Sequence, residues 1–465
     1  MSRRAVGAAA GVLAAVVIRL APSIGQLDRL GQSSLAIITL AVIFWATDVL
    51  NAGITAILAL GLLLVAGVPA AVALSGFAVP AFWILVSVLF FGYAMDKTGL
   101  ARRIAYRILE AFRPTYTGII FAFLAIGLVL ALGIPSMTVR TAIMVPIAWA
   151  LVQALGIPAH SRGSALIMLS AFEMAVLPGC ALLTGALWGP YLAGLFASQH
   201  IPLTWLGYAG VMAVPTLAWC VLVLLANRVA LGPESELRVA RDLVADQRRK
   251  LGAMRSPEFF TAAIVSLSLV AWASQPWHKV PAEAIGMIAL TALFAARVLQ
   301  PADIGTGIPW HLALFIGGAL SVTTVITTYG ISGWLASYIV PALEPMSGMP
   351  AILIAVLGVL VMAMRFVDPV GFITIAAFFL ALAGIAPGWG IPPLVLAGVI
   401  LLPLHIFWFN YQNIWIVMTD GITKGLAYTD AQRIRLATVY MLVTLAALAI
   451  ASLYWRLIGA IPELW

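Results

Sequence analysis

Gly133-Ile134-Pro135-Ser136-Met137-Thr138-Val139-Arg140 interrupts a run that has held no Asp, Glu, Lys or Arg since Arg113. Met364-Arg365-Phe366-Val367-Asp368-Pro369-Val370-Gly371 interrupts another in the second half of the chain. Each places helix breakers and a charge inside an apolar stretch. In hydrocarbon an unpaired backbone group has no water to turn to, so such breaks persist only where protein buries them or a wet cavity meets them. Paired interruptions at corresponding places in two halves of a membrane protein point to a transport site.

The rest of the sequence shows that the solvent is a bilayer. Of 465 residues, 63% are hydrophobic and 9% charged, against roughly 25% charged in a soluble domain. No charge occurs between Asp48 and Asp96 or between Glu173 and Arg228. A spanning helix needs about 20 apolar residues, and the chain divides into roughly eleven to thirteen such segments. The expected fold is therefore an all-α polytopic membrane protein. The formal charge of +8 does not indicate a nucleic-acid partner, because the basic residues gather at the ends of apolar segments. They lie at Arg3-Arg4, at Lys97, Arg102, Arg103, Arg107 and Arg113, and between Arg228 and Arg255, with Arg238, Arg241, Arg248, Arg249 and Lys250 inside that last stretch. By the positive-inside rule the N-terminus and both loops are cytoplasmic, in what is expected to be a bacterial inner membrane. Arg3-Arg4 before an Ala/Val-rich stretch imitates a signal peptide, but a retained helix is the expectation with so many spans following. Cys180 and Cys220 sit in apolar segments and support neither a disulfide framework nor a zinc site.

The long polar interruption at 228–256 divides the chain into a first helix and connector (1–32), a first repeat (33–227), a charged linker and a second repeat (257–465). Phe82-Trp83, an apolar run and Lys97-Thr98-Gly99-Leu100 recur as Trp310, an apolar run and Tyr329-Gly330-Ile331-Ser332. In both places a further apolar segment then leads into the interruption.

Several of these stretches resemble one known family. Phe44-Trp45-Ala46-Thr47-Asp48-Val49-Leu50 is similar to the Trp-x-Thr-Glu-x-Ile-Pro signature of the divalent anion:sodium symporters, the DASS family. Ser75-Gly76-Phe77-Ala78-Val79-Pro80 and the turn at Lys97-Thr98-Gly99-Leu100 resemble it too, and the likeness runs from about residue 33 to the C-terminus. The resemblance implies two inverted repeats, each with a re-entrant hairpin and a broken helix, a homodimer, an elevator motion and a dicarboxylate, citrate or sulfate substrate. Hairpin tips in that family read Ser-Asn-Thr. Here the first aligns as Ser136-Met137-Thr138, and the second, as Val367-Asp368-Pro369, has lost the motif. The Thr-Pro-Pro-Asn of the broken helices aligns with Ala186-Leu187-Trp188-Gly189, which follows Gly185, and with Asn410-Tyr411-Gln412-Asn413. The resemblance thus implies the fold more strongly than it implies sodium coupling.

A charge at bilayer depth costs at least about 2.5 kcal/mol and is usually functional. Arg140 binds a carboxylate through a two-bond fork or stands in for a bound sodium ion; otherwise it pairs with Glu173 or Asp368. Arg365 forms a second clamp on a dicarboxylate or snorkels to the interface. Asp368 holds a cation, takes up a proton or neutralises Arg365. Glu173 carries a proton or partners Arg140, with the partner role ahead. His405 titrates near neutrality, or is a satisfied core histidine, the better expectation for a lone one. Ser136 and Thr138 offer hydroxyls, and the tip amides beside helix N-termini favour anions. Asn410, Gln412 and Asn413 form a polar cluster opposite them, with Tyr411 and Trp188 as apolar walls. Met137 and Pro369 complete the tips. No organic cofactor or firm metal site is indicated. A sodium ion, where one couples, is placed near Ser136 and Asp368, with Gly185, Asn413, Glu173 and His405 as further coupling candidates.

The expected function is secondary active transport of small anions, di- or tricarboxylates, by exchange or proton coupling, with sodium symport as the alternative. An intramembrane enzyme would need a catalytic pair, and the chain has no His-Glu zinc motif, paired aspartates or serine–histidine pairing. A channel would not need two matched charged breaks.

Overall fold

The computed structural model describes residues 3–22, 24–233, 237, 242–366, 368 and 371–461. Among them are nine helices long and apolar enough to cross a membrane, with six shorter apolar ones. The shorter set includes pieces of spans that break part-way. Pro369, Arg238 and Arg241 lie outside the described residues.

One succession of elements occurs twice. In the first half, helices Arg29–Thr47, Ala52–Val65, Pro80–Thr98 and Leu100–Ala111 lead to the hairpin Tyr116–Gly133 and Met137–Ala154. Then come Arg162–Val176, a break, Trp188–Ser198 and the long Trp205–Ala230. In the second half Ser256–Ala273, Ala282–Ala295, Trp310–Thr328 and Ile331–Leu343 precede the hairpin Pro350–Met364 and Phe372–Leu382. These are followed by Pro393–Leu401, a break, Ile414–Thr423 and Asp430–Leu457. The extra helix Arg3–Leu20 packs on Arg29–Thr47.

Local chemistry sets these boundaries. Asp28, Thr115, Ser136, Ser161, Thr204 and Asn413 each cap a helix by accepting a first-turn N–H, which satisfies a donor that would otherwise be left unpaired. Gly99 (φ +83°) and Gly330 (φ +72°) adopt the left-handed conformation at equivalent places. That conformation penalises a Cβ, so each glycine ends a span and lets the next helix leave at an angle. The similarity between Lys97-Thr98-Gly99 and Tyr329-Gly330 is thus a shared backbone corner.

The loops rich in Lys and Arg share one face. Arg4 meets Asp48 at 3.2 Å, Lys97 meets Asp303 at 2.5 Å, Arg103 meets Glu258 at 2.8 Å and Arg248 meets Glu110 at 2.7 Å. Arg103 also donates to the carbonyls of Leu251, Gly252 and Ala253. The described part of the charged linker, helix Asp242–Lys250, therefore lies against Leu100–Ala111. At the centre, every residue from Gly163 to Val176 is buried. The first broken helix is wrapped by protein, as the cost of an open backbone in lipid requires, while the second leaves Phe409, Asn410 and Tyr411 of its break exposed.

Candidate functional site

Each hairpin meets the broken helix of the other half, so there are two crossings. At the first, Ser136 ends the tip and its Oγ accepts from Val139 N at 3.3 Å, starting helix Met137–Ala154. Asn413 does the same for Ile414–Thr423, its Oδ1 accepting from Trp415 N at 3.1 Å. The two helix starts are joined where Trp415 Nε1 donates to Thr138 Oγ1 at 3.0 Å. Two helix N-termini, of 18 and 10 residues, therefore converge, and each carries about half a positive charge from its unsatisfied N–H groups. Thr138 is exposed. Its oxygen accepts from the indole, which leaves its own O–H available to donate. Asn413 uses its oxygen on the cap, which leaves its amide N–H groups to donate. The crossing gathers positive helix ends and hydrogen-bond donors.

The other predicted members sit around it differently. Met137 is fully buried core. Gln412 is buried, and its Oε1 accepts from Phe409 N at 2.9 Å. Asn410 is exposed and donates to Asp420 at 3.3 Å. Tyr411 is exposed, stacked with Phe409 at 5.7 Å.

The second crossing is packed with aromatic rings, beside a cavity of about 210 Å³ that Trp45, Tyr191, Thr323 and Phe372 help to line. Trp188, expected as a pocket wall, is 3% exposed and lies 4.5 Å from Phe372 at the start of the second hairpin's return helix. Phe315 meets the same ring at 4.8 Å, and Tyr191 donates to the Phe372 carbonyl at 3.4 Å. Trp188 Nε1 donates to His405 Nε2 at 3.2 Å, so His405 is a partnered core histidine at this plug.

The two arginines do not form an open clamp. Arg140 is wholly buried and donates to carbonyls of Ala175 (2.7 Å), Ile134 (2.8 Å), Gly185 (2.5 Å) and Val176 (3.3 Å). It ties the first tip to the break of its own half. Arg365 is buried and donates to the carbonyls of Asp368 and Gln412, the latter at 2.6 Å. The matching act in the second half is therefore the same, and snorkelling does not describe it. Arg433, which sequence reasoning missed, donates to the carbonyls of Phe407 and Trp408 and to Asp430. Its position among the basic residues of the last helix had concealed it. A guanidinium can serve several carbonyls at once because its donors are fixed in a planar fork.

One carboxylate is placed otherwise than expected. Glu173 is not the partner of Arg140; it accepts from Asn227 Nδ2, while Arg140 is held by backbone dipoles. Asp368 accepts from Gly371 N (2.8 Å), Thr374 N (2.8 Å) and Thr374 Oγ1 (2.9 Å), so it caps the return helix of the second hairpin. Ser136 Oγ and both Asp368 oxygens accept N–H or O–H donors within their own caps. The described residues do not bring three His, Cys, Asp or Glu side chains together. Gly185 contributes a carbonyl, and its close approach to Gly179 O leaves no room for a side chain. Trp415 was also missed, although it stands two residues beyond Asn413, where a first-turn donor can face a neighbouring helix start.

The model of the family described as "Sodium:sulfate symporter transmembrane region" matches residues 2–461. The chain belongs to this family. A chloroplastic dicarboxylate transporter 1 from Spinacia oleracea is 25% identical over 397 residues, covering 83% of this chain and 70% of that one. The L-tartrate/succinate antiporter of Escherichia coli K12 is 23% identical over 417 residues, covering 82% and 80%. A putative malate transporter of Bacillus subtilis is 24% identical over 335 residues, covering 70% of each chain. Among solved structures, the Alcanivorax borkumensis YdaH transporter matches with a TM-score of 0.58 at 13% identity, over 83% of this chain and 87% of that one, a likeness of fold. The symporter family and these relatives are transporters, not enzymes. The chain is an integral membrane protein and a secondary transporter of small anions.

Proposed function

We propose that the chain exchanges dicarboxylates across a bacterial inner membrane without sodium. The observation that carries the reading is the first crossing, where two helix N-termini converge at the exposed hydroxyl of Thr138. A carboxylate there would accept from Thr138, from Asn413 and from first-turn amides, charge-assisted bonds that are roughly twice as strong as neutral ones. Relatives named as dicarboxylate transporters and tartrate/succinate antiporters support the same substrate class.

The exchange mode rests on Arg140 and Arg365. Broken-helix carbonyls in secondary transporters commonly face a coupling cation. In this chain, built-in guanidinium groups meet them at both tips. A permanent cation cannot dissociate between turnovers, so the loaded anion has to be what permits the return step. We further read the two halves (33–227 and 257–465) as inverted repeats joined by the 228–256 linker, with the basic face and N-terminus in the cytoplasm. The working unit is a homodimer moving by an elevator.

The test is uptake of labelled succinate into proteoliposomes, with internal unlabelled succinate and sodium replaced by choline. Uptake that needs only the internal anion supports the reading. Uptake that requires a sodium or proton gradient, with no counterflow, replaces it with symport.

A further inference from the structure

Glu173 and Asn227 form a polar island away from both crossings. Glu173 is 1% exposed in the last turn of helix Arg162–Val176, and Asn227 is fully buried near the end of Trp205–Ala230. Asn227 Nδ2 donates to Glu173 Oε2 and, at 3.3 Å, to Ser170 Oγ. Among the described residues no donor reaches two buried acceptors, Glu173 Oε1 and Asn227 Oδ1. They belong to the two groups that this hydrogen bond already joins.

Among the described residues Glu173 makes no ion pair. Of the elements packed on its helix, Met137–Ala154 brings Arg140, whose donors go to carbonyls. Asp430–Leu457 brings Arg433, which is bound to Phe407, Trp408 and Asp430, and Tyr440. Trp205–Ala230 brings Cys220, with Arg228 beyond Asn227; Leu177–Ala181 brings Cys180; and Ile414–Thr423 brings Asp420. Tyr116–Gly133 brings only Tyr116. An ionised carboxylate buried without a countercharge is among the costliest arrangements a protein can hold, and two orphaned acceptors add further cost.

We propose that Glu173 is a proton-binding site, its Oε1–H donating to Asn227 Oδ1 while Asn227 Nδ2–H donates to Glu173 Oε2, and that transport requires this site to be filled. One proton satisfies both orphaned atoms and closes an acid–amide ring of two hydrogen bonds. The island is neutral when filled, so the buried helix beside the first break holds its packing as the body around it moves. The requirement for transport rests on the exchange reading; the proton itself does not.

Two measurements test it on the purified full chain. Infrared difference spectroscopy without sodium should show a buried carboxylic-acid C=O band at neutral pH in wild type that is absent from Glu173→Gln. Glu173→Gln replaces the acid with an amide that can close the same ring, so counterflow at neutral pH should stay within about twofold of wild type. At alkaline pH wild type should lose roughly tenfold per unit once the acid ionises, while Glu173→Gln keeps its rate. The proposal is overturned by absence of the acid band at neutral pH, by a folded but inactive Glu173→Gln, or by an unchanged alkaline loss in that variant. Absence of the band from wild type overturns the proposal even if the variant misfolds. It also does so if counterflow fails and the exchange reading with it.

Discussion

The two crossings are made from equivalent parts and end in opposite states. The first joins helix starts at Thr138 and Trp415 and leaves a hydroxyl exposed. The second joins helix starts at Phe372 and Trp188 and packs them with Tyr191, Phe315 and His405. Beneath both lies the same device, an arginine holding the carbonyls of its own half. The contrast separates two jobs that the sequence had run together. The arginines hold broken backbone inside the protein; the proposed function assigns ligand chemistry to the crossing that stays polar.

The largest effect should come from breaking the shared device. Arg140→Leu leaves the carbonyls of Ile134, Ala175, Val176 and Gly185 without their donor. We expect a loss of roughly 3–5 kcal/mol, the range for breaking a buried charged contact, read as failure to purify folded protein or a steep drop in melting temperature. A folded, fully active Arg140→Leu would dismiss the device.

Next comes the open crossing. Thr138→Val should raise KM for succinate about 10- to 100-fold with little change in melting temperature, since a hydrogen bond to a charged group contributes about 1.5–3 kcal/mol. Trp415→Phe removes only the bond that orients Thr138, so a rise of about fivefold is expected, consistent with about 1 kcal/mol. The same change in a Thr138→Val background should add almost nothing. At the closed crossing Trp188→Phe should reverse the pattern, with about 1 kcal/mol lost in stability and KM unchanged.

The smallest effect serves as a control remote from both. The hydrogen bond from Lys97 holds the Asp303 carboxyl below its ordinary value, helped by Gln300 N and Tyr93. A depressed carboxylate stabilises the fold at neutral pH and loses that contribution as pH falls through its folded value. Melting temperature followed from neutral to acid should fall less for Asp303→Asn than for wild type, with KM the same in both.

How much of this was legible in the sequence follows from what each signal depends on. The bilayer and the succession of helices follow from hydropathy and from Gly and Pro at corners, which are local. The breaks at Gly133–Arg140 and Met364–Gly371 were legible for the same reason. Partners were not. Arg140 reads equally well as a ligand clamp or as a carbonyl holder, because the carbonyls it serves carry no residue code. Glu173 was paired with Arg140, but its neighbour is a neutral amide 54 positions away. Trp188 and Trp415 look alike in sequence; only the crossing shows that one faces an aromatic plug and the other a hydroxyl.

The central claim is that the anion sits at the open crossing and not at the closed one. Its most direct test is thiol labelling of Thr138→Cys and of Trp188→Cys in proteoliposomes, with the native Cys180 and Cys220 buried. The account predicts that a membrane-impermeant maleimide modifies Cys at 138, that succinate slows this at least about tenfold, as a ligand well above its Kd would, and that Cys at 188 stays unmodified. Ready labelling at 188 with succinate protection there, and none at 138, would contradict it.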